Sequence, residues 1–372
     1  MYRVAVAVLC LCLSCFAQDS AQKTMQHALE AQQAGRFEEA IRDYRSLLQQ
    51  YPNIAEVRSN LGAALAGQGQ YKEAIAEYQQ ALALRPNPQV RLNLALAYYK
   101  TGDFQLAAST LKRVHAEDSG NMQAVTLLSD CYLRLGQNKD VIALLTPVQQ
   151  AQPDNKAFIY LLGTALVRDG QAGKGQVIID NILRNGDSAE SRLLMGTSKY
   201  MEGDHAGAYE DFRRTVELNP KLPDAYAYYG ISLLSMGDQA GARRAFEREL
   251  ELDPNNFVSN LQMSVLLRKS HDDAGALNCL HRALRMRPDD SGVRFEIASI
   301  ELAQGQLTQA THDLESLVKD SPNFIEAHWS LARAYFLENR KADGKREREI
   351  SGKLRTANQA KDKGTVAAKS AQ

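Results

Sequence analysis

The chain has 372 residues, 44% of them hydrophobic and 24% charged, with 44 basic and 44 acidic side chains. That much apolar material with so little net charge excludes general disorder and fits a folded, soluble protein. The balance is uneven along the chain: residues 340–372 hold ten basic side chains against four acidic ones, so this end is +6 and the remainder −6.

At the N-terminus, Arg3 supplies a positive start, Val4 to Phe16 an apolar run, and Cys15-Phe16-Ala17 a small-x-small site before Gln18. Residues 1–17 therefore read as a signal peptide, with the mature chain exported and beginning at Gln18. The thirteen residues of the run span only about two thirds of a bilayer core, which needs roughly 20 in helix. A retained membrane anchor and a lipoprotein modified at Cys15 are the alternatives. Cys12 stands where such lipoprotein motifs usually place a leucine. Signal cleavage removes Cys10, Cys12 and Cys15, leaving Cys131 and Cys279 too far apart to bridge, since a disulfide needs Cα atoms within roughly 7 Å. They are expected to be two core thiols.

Beyond this segment the chain is periodic. In the stretch Ala55 to Asn87, residues Leu61, Gly62, Leu65, Gly69, Tyr71, Ala74, Tyr78, Ala81 and Pro86 describe two helical faces meeting at a glycine turn, with a proline closing the second helix. The turn residue recurs as Gly35, Gly69, Gly102, Gly136, Gly170, Gly203, Gly237, His271, Gly305 and Asn339, always 33 or 34 residues apart. Glycine suits a position just past a helix end because it takes positive φ without a Cβ clash, and asparagine is the next best residue there. Small residues five positions after the turn (Ala40, Ala74, Ala107, Ala208, Ala242, Ala276, Ala310) predict close approach of the two helices. So do Gly or Ala seven positions before it, as at Gly62, Gly196 and Gly230. First helices are predicted to start near Ala21, Ala55, Pro88, Met122, Lys156, Ala189, Pro223, Phe257, Ser291 and Ile325. A lone hairpin leaves one apolar face uncovered, so these units must stack.

This pattern resembles the tetratricopeptide repeat. The resemblance implies an all-α, right-handed superhelical solenoid of about ten helix-turn-helix repeats over residues 21–357, with first helices lining the concave face. The tenth second helix, rich in Lys, Arg and Glu, reads as a polar cap, and residues 358–372 read as a disordered basic tail. The fifth repeat departs from the pattern. Gly173 and Gly175 weaken its second helix, and Asn185-Gly186-Asp187-Ser188 replaces the closing proline, which together suggest a soft joint.

The residues offer little chemistry. Seven histidines are scattered without metal-ligand spacing, and Asp169 to Gly175 lacks the Gly-Lys-Ser/Thr ending and the preceding strand of a phosphate loop. No catalytic residue, metal or cofactor is expected, and no nucleic-acid partner. The chain reads as a non-catalytic scaffold of the bacterial periplasm or cell envelope that holds a protein or peptide. The alternative is a chaperone-like holder of extended or unfolded chains in the secretory compartment; for a co-chaperone of the endoplasmic reticulum a His-Pro-Asp motif and a C-terminal retrieval signal would be expected, and the sequence shows neither.

The repeat geometry implied by the resemblance puts Asn60, Asn93, Tyr99, Lys100, Leu127, Arg134, Tyr160, Arg168, Tyr200 and Tyr228 on the concave wall as candidate partner contacts. Such apolar, Tyr-bearing surface with cationic punctuation suits protein binding. Asn60 and Asn93 occupy equivalent positions, where an amide can both donate to and accept from an extended backbone. Leu127, Leu161, Leu194 and Tyr228 replace asparagine in the middle repeats, which argues against an asparagine ladder along the whole wall. The basic tail is a further candidate for weak contact with anionic surfaces.

Overall fold

A computed structural model describes residues 20–171, 173–175, 178 and 187–369. Among them every regular element is helical and no strand occurs. The first repeat pairs residues 20–33 with Phe37–Gln50, followed by Ala55–Gly67 with Tyr71–Leu84, Pro88–Thr101 with Phe104–Glu117, and Met122–Arg134 with Asn138–Ala151. The fifth first helix is Lys156–Arg168, and of its partner residues 173–175 and 178 are helical. Then come Ala189–Glu202 with His205–Leu218, Ala225–Ser235 with Gln239–Leu252, and Phe257–Lys269 with Asp273–Met286. Ser291–Ala303 with Leu307–Asp320, and Ile325–Leu337 with Lys341–Lys369, complete the set.

The chain divides into two compact units, Met1–Gly186 and Asp187–Gln372, so the division falls in the irregular linker of the fifth repeat. Within each unit a first helix packs on its own second helix, and that one on the next first helix. The proposed signal segment, residues 1–17, lies outside the described residues.

All ten predicted turn residues have positive φ, from +61° at His271 to +90° at Gly203. The seven alanines after the turns are fully buried. The glycines before the turns pack under aromatic rings of the second helix. A Cβ at Gly62 would meet the Tyr78 ring at 2.8 Å, one at Gly196 the Phe212 ring at 2.6 Å, and one at Gly230 the Phe246 ring at 2.5 Å. Cys131 and Cys279 are buried free thiols, and burial pushes the Cys131 thiol up to about 12.

Two boundaries differ from expectation. The seventh first helix starts at Ala225 rather than Pro223, because Asp224 takes a positive φ of 66°. Its first donors are held by Glu249, whose buried carboxylate accepts the Asp224 N–H at 3.0 Å and the Tyr226 N–H at 3.1 Å. This supplies from the neighbouring helix what a missing N-cap side chain would. The last helix runs through residue 358 to Lys369 instead of fraying there, as its Lys, Gln and Ala residues favour helix.

The fourth residue of the first helix carries a recurrent polar clamp. Arg58 donates to the Pro52 carbonyl at 2.7 Å and to Glu77 on its second helix at 2.8 Å. Arg91 pairs with Glu117, Arg192 with Asp211, and Arg294 with Asp320. In the tenth repeat, His328 takes this place, its Nε2 facing the Pro322 carbonyl at 2.9 Å and its Nδ1 facing Glu347 at 2.7 Å. In repeats four and five the residue is Val125 or Ile159, buried without polar partners.

Candidate functional site

Successive first helices touch one another within each unit, as Ala55–Gly67 does Pro88–Thr101 and Met122–Arg134 does Lys156–Arg168, so they form a wall beside the stacked second helices. Eight of the candidate contacts stand on first helices of the unit Met1–Gly186, and Tyr200 and Tyr228 on those of Asp187–Gln372.

Asn60 is half-buried and lines a cavity of 290 Å³ with Glu56, Ser59, Arg85 and Asn87. Asn93 accepts a hydrogen bond from the Gln89 amide one turn earlier, at 3.2 Å, so its oxygen is partly engaged. Lys100 is exposed, and Leu127, Tyr160 and Arg168 are half-buried.

The structure brings Tyr99 and Arg134 together. The Tyr99 hydroxyl donates to Asp130, which also accepts from Arg134 Nε at 2.8 Å. The Arg134 guanidinium lies 5.6 Å from the Tyr99 ring centre and 4.8 Å from that of Phe104, while the two rings meet edge-on at 5.2 Å. Burial, then the Asp130 carboxylate, raises the Tyr99 hydroxyl well above its ordinary range, with Arg134 opposing. This tyrosine stays protonated and serves as a donor, and the cluster fastens the third repeat to the fourth.

In the second unit Tyr228 stacks on Phe212, with ring centres 5.4 Å apart, and Tyr200 meets His205 edge-on at 5.1 Å. Both flank the core of Leu193, Phe212 and Leu222 with one side of the ring. Two of the wall positions where leucine replaces asparagine, Leu161 and Leu194, are core residues, 7% and 2% exposed. They offer no surface to a partner.

Sequence reasoning passed over the tenth first helix, which read only as part of a cap. Trp329 and Leu337 are more than half exposed, and Phe336 and Arg333 share their face. The signal was present in the spacing: residues 329, 333, 336 and 337 lie on one side of a helix. The position-four clamps and the Glu249 cap also went unread, because their partners are distant in sequence.

Comparison with known proteins follows this architecture. A family model described as tetratricopeptide repeat matches residues 25–89, 193–257, 261–313 and 295–344, more than half of the chain. A second, for subunit 3 of the anaphase-promoting complex (cyclosome), matches residues 67–148. Human protein O-mannosyl-transferase TMTC1 is 26% identical over 181 residues, 46% of this chain and 20% of that protein. The DnaJ homolog subfamily C member 7 homolog of Schizosaccharomyces pombe is 27% identical over 194 residues, 46% of this chain and 40% of that one. The beta-barrel assembly-enhancing protease of Escherichia coli is 31% identical over 116 residues, 31% of this chain and 24% of the relative. The chain thus spans less than half the length of each of these relatives. Among solved structures, a tetratricopeptide repeat protein from Parabacteroides merdae superposes with a TM-score of 0.57 at 14% identity, covering 70% of this chain and 99% of that one. That likeness concerns the fold.

Proposed function

Because the chain belongs to the tetratricopeptide repeat family, we propose that it is a non-catalytic scaffold that holds a partner protein or peptide on the wall of its first helices. The observation that carries this reading is the wall itself, a row of packed helices in each unit that presents partly uncovered side chains such as Lys100, Leu127, Tyr160 and Tyr200. The relatives bear names of a transferase, a DnaJ homolog and a protease, and each matches over only part of its length. Names so different, each matched over part of its length, support a common adaptor role better than a common reaction. The proposal includes export to a bacterial periplasm or envelope, resting on Arg3, the apolar run and Ala17.

A second reading, a chaperone-like holder of extended chains, draws support from the similarity to a DnaJ homolog. An affinity pull-down from the envelope fraction separates the two. One stoichiometric partner supports the scaffold, whereas a broad set of unfolded clients replaces it with the holder. Tyr160→Ala and Tyr200→Ala should each weaken a specific partner by about 1 to 2 kcal/mol. Unchanged binding by both variants would remove these tyrosines from the site.

A further inference from the structure

We propose that the tenth repeat carries a docking surface for an acidic segment of a partner protein that bears an aliphatic or aromatic anchor. The proposal rests on the scaffold reading and names the chemistry of one of its partners.

The surface begins on the helix Ile325–Leu337. Its inward face, Ala327, His328, Leu331, Ala332, Ala334 and Tyr335, is buried. The opposite face should be polar in a solvated cap, yet it carries Trp329 at 52% exposure, Phe336 at 38% and Leu337 at 54%. Side chains such as Trp329 and Leu337, standing in water on one helical face, forgo the burial that would stabilise them. Clustered aromatic exposure of this kind marks an interaction surface.

The face continues onto the last helix. The Phe336 ring lies against the backbone at Gly344, where a Cβ would come within 2.9 Å of it. Gly344, Glu347 and Ser351 form the buried edge of that helix. One step round from this edge stand Lys341, Lys345, Arg348 and Arg355, at the spacing of a single helical stripe. All four are exposed. None of the four, nor Arg333 between Trp329 and Leu337, makes an ion pair with the described residues, whereas Arg340, Arg346 and Lys353 nearby are all paired with acids. The lone acid on the apolar face is Glu326. An apolar strip bordered by uncompensated cations is complementary to a segment that alternates carboxylates with apolar side chains. The match would set orientation through charge and affinity through the Trp329 contact.

Trp329 is the chain's single tryptophan, so its fluorescence reports occupancy of this face directly. The probes are a short synthetic peptide of glutamate and leucine, its counterpart with lysine for every glutamate, and phosphatidylglycerol-containing vesicles. The acidic peptide should shift the emission to the blue in a saturable way, and added salt should weaken the effect. Lys345→Glu with Arg348→Glu should weaken it by roughly tenfold or more, as should Leu337→Ser, with wild-type helical melting in each case because these side chains are exposed. An unchanged emission, an equal shift with the lysine peptide, or full binding by the charge-reversed chain would overturn the proposal. A shift with vesicles but not with the peptide would reassign the face to lipid. If the charge-reversed chain captures the envelope partner undiminished, the surface is wrong and the scaffold reading stands. If the wild-type chain captures no discrete partner, the scaffold reading itself fails.

Discussion

Repeats two, three, six, nine and ten and repeats four and five fill the same slot, the fourth residue of the first helix, in opposite ways. The former place a basic residue there and face it with a carboxyl group from their own second helix, as in Arg58 with Glu77, Arg91 with Glu117, Arg192 with Asp211, Arg294 with Asp320 and His328 with Glu347. The latter place Val125 or Ile159 there, beside a core of Phe158, Leu161, Leu162 and Leu145. Both solutions let the hairpin stack. They differ in direction: a guanidinium that must reach a linker carbonyl and a carboxylate fixes the rotation of its helix, whereas aliphatic packing fixes only separation. A half-buried pair adds little net stability over an apolar pair of like volume, yet losing one partner is expensive. The polar repeats should therefore be sensitive to single changes and tolerant of paired ones.

The largest effect is expected at Asp211, which is 2% exposed and bonded to Arg192 at 2.8 Å and Lys199 at 2.6 Å. Asp211→Ala strands Lys199 and leaves Arg192 only its more exposed partner Asp187, at a cost of about 2 to 4 kcal/mol, towards the low end of a buried pair because each cation is about a third exposed. Replacing the pair by Arg192→Met with Asp211→Leu should recover most of that loss, the remainder belonging to Lys199, which keeps no carboxylate beside it. Urea unfolding of the three chains provides the check. A double variant no more stable than Asp211→Ala would show that the clamp is not interchangeable with the apolar solution of repeats four and five.

Repeat seven tests the comparison from a third side, since Glu249 meets two backbone N–H groups and the Asn256 amide in place of a guanidinium. Burial, then the Asp224 carboxylate, pushes its pKa up from 4.5 to about 7, against the pull of the N–H donors. Within that window the folded chain keeps a proton that the unfolded chain has released. The contribution is therefore complete below the ordinary carboxylate value and is lost as pH rises to 7, by about 2 to 3 kcal/mol. The protection factors of the amides at residues 226–230, which are corrected for the intrinsic rise of exchange with pH, should fall over that range in the wild type and stay flat in Glu249→Gln. A clamped repeat such as the second, where the carboxylate of Glu77 faces Arg58 in place of backbone donors, should show neither slope. Equal slopes in both repeats would refute the distinction.

The turns were legible in sequence because each depends on one residue's backbone freedom, so even His271 and Asn339 could be placed by phase alone and both take positive φ. The helices followed from the same phase. The start at Pro223 was misplaced because Asp224 is held in an unusual conformation by Glu249, 25 residues away. The candidate wall was less legible. Periodicity identifies a face but not what covers it, so Leu161 and Leu194 looked like surface and proved to be core, while Trp329 looked like part of a cap and stands in solvent. Tyr99 and Arg134 were chosen for their chemistry, and the structure shows that Asp130 already engages both.

The smallest effects are expected within repeat five, where sequence alone counts Gly173 and Gly175 as two equal weaknesses. They are not equivalent. Around Gly173 a Cβ would meet nothing within 4 Å, so Gly173→Ala should stabilise the helix by up to about 1 kcal/mol. At Gly175 a Cβ would fall 2.7 Å from Val167 Cγ2. Seven other repeats have alanine five residues past the turn, and each of them has a residue unbranched at Cβ three before the turn, as with Tyr200 and Ala208 or Leu302 and Ala310. Val167 is β-branched, and its second methyl occupies the volume that the alanine methyl takes elsewhere. Gly175→Ala alone should therefore cost about 1 to 2 kcal/mol through overpacking. With Val167→Leu in the same chain the cost should vanish and the helix gain about as much as at Gly173. Thermal unfolding of the two single variants and the double variant measures this coupling. If Gly175→Ala by itself stabilises the chain as much as Gly173→Ala does, Val167 has room to move, and the glycine is a local weakness instead of a packing solution.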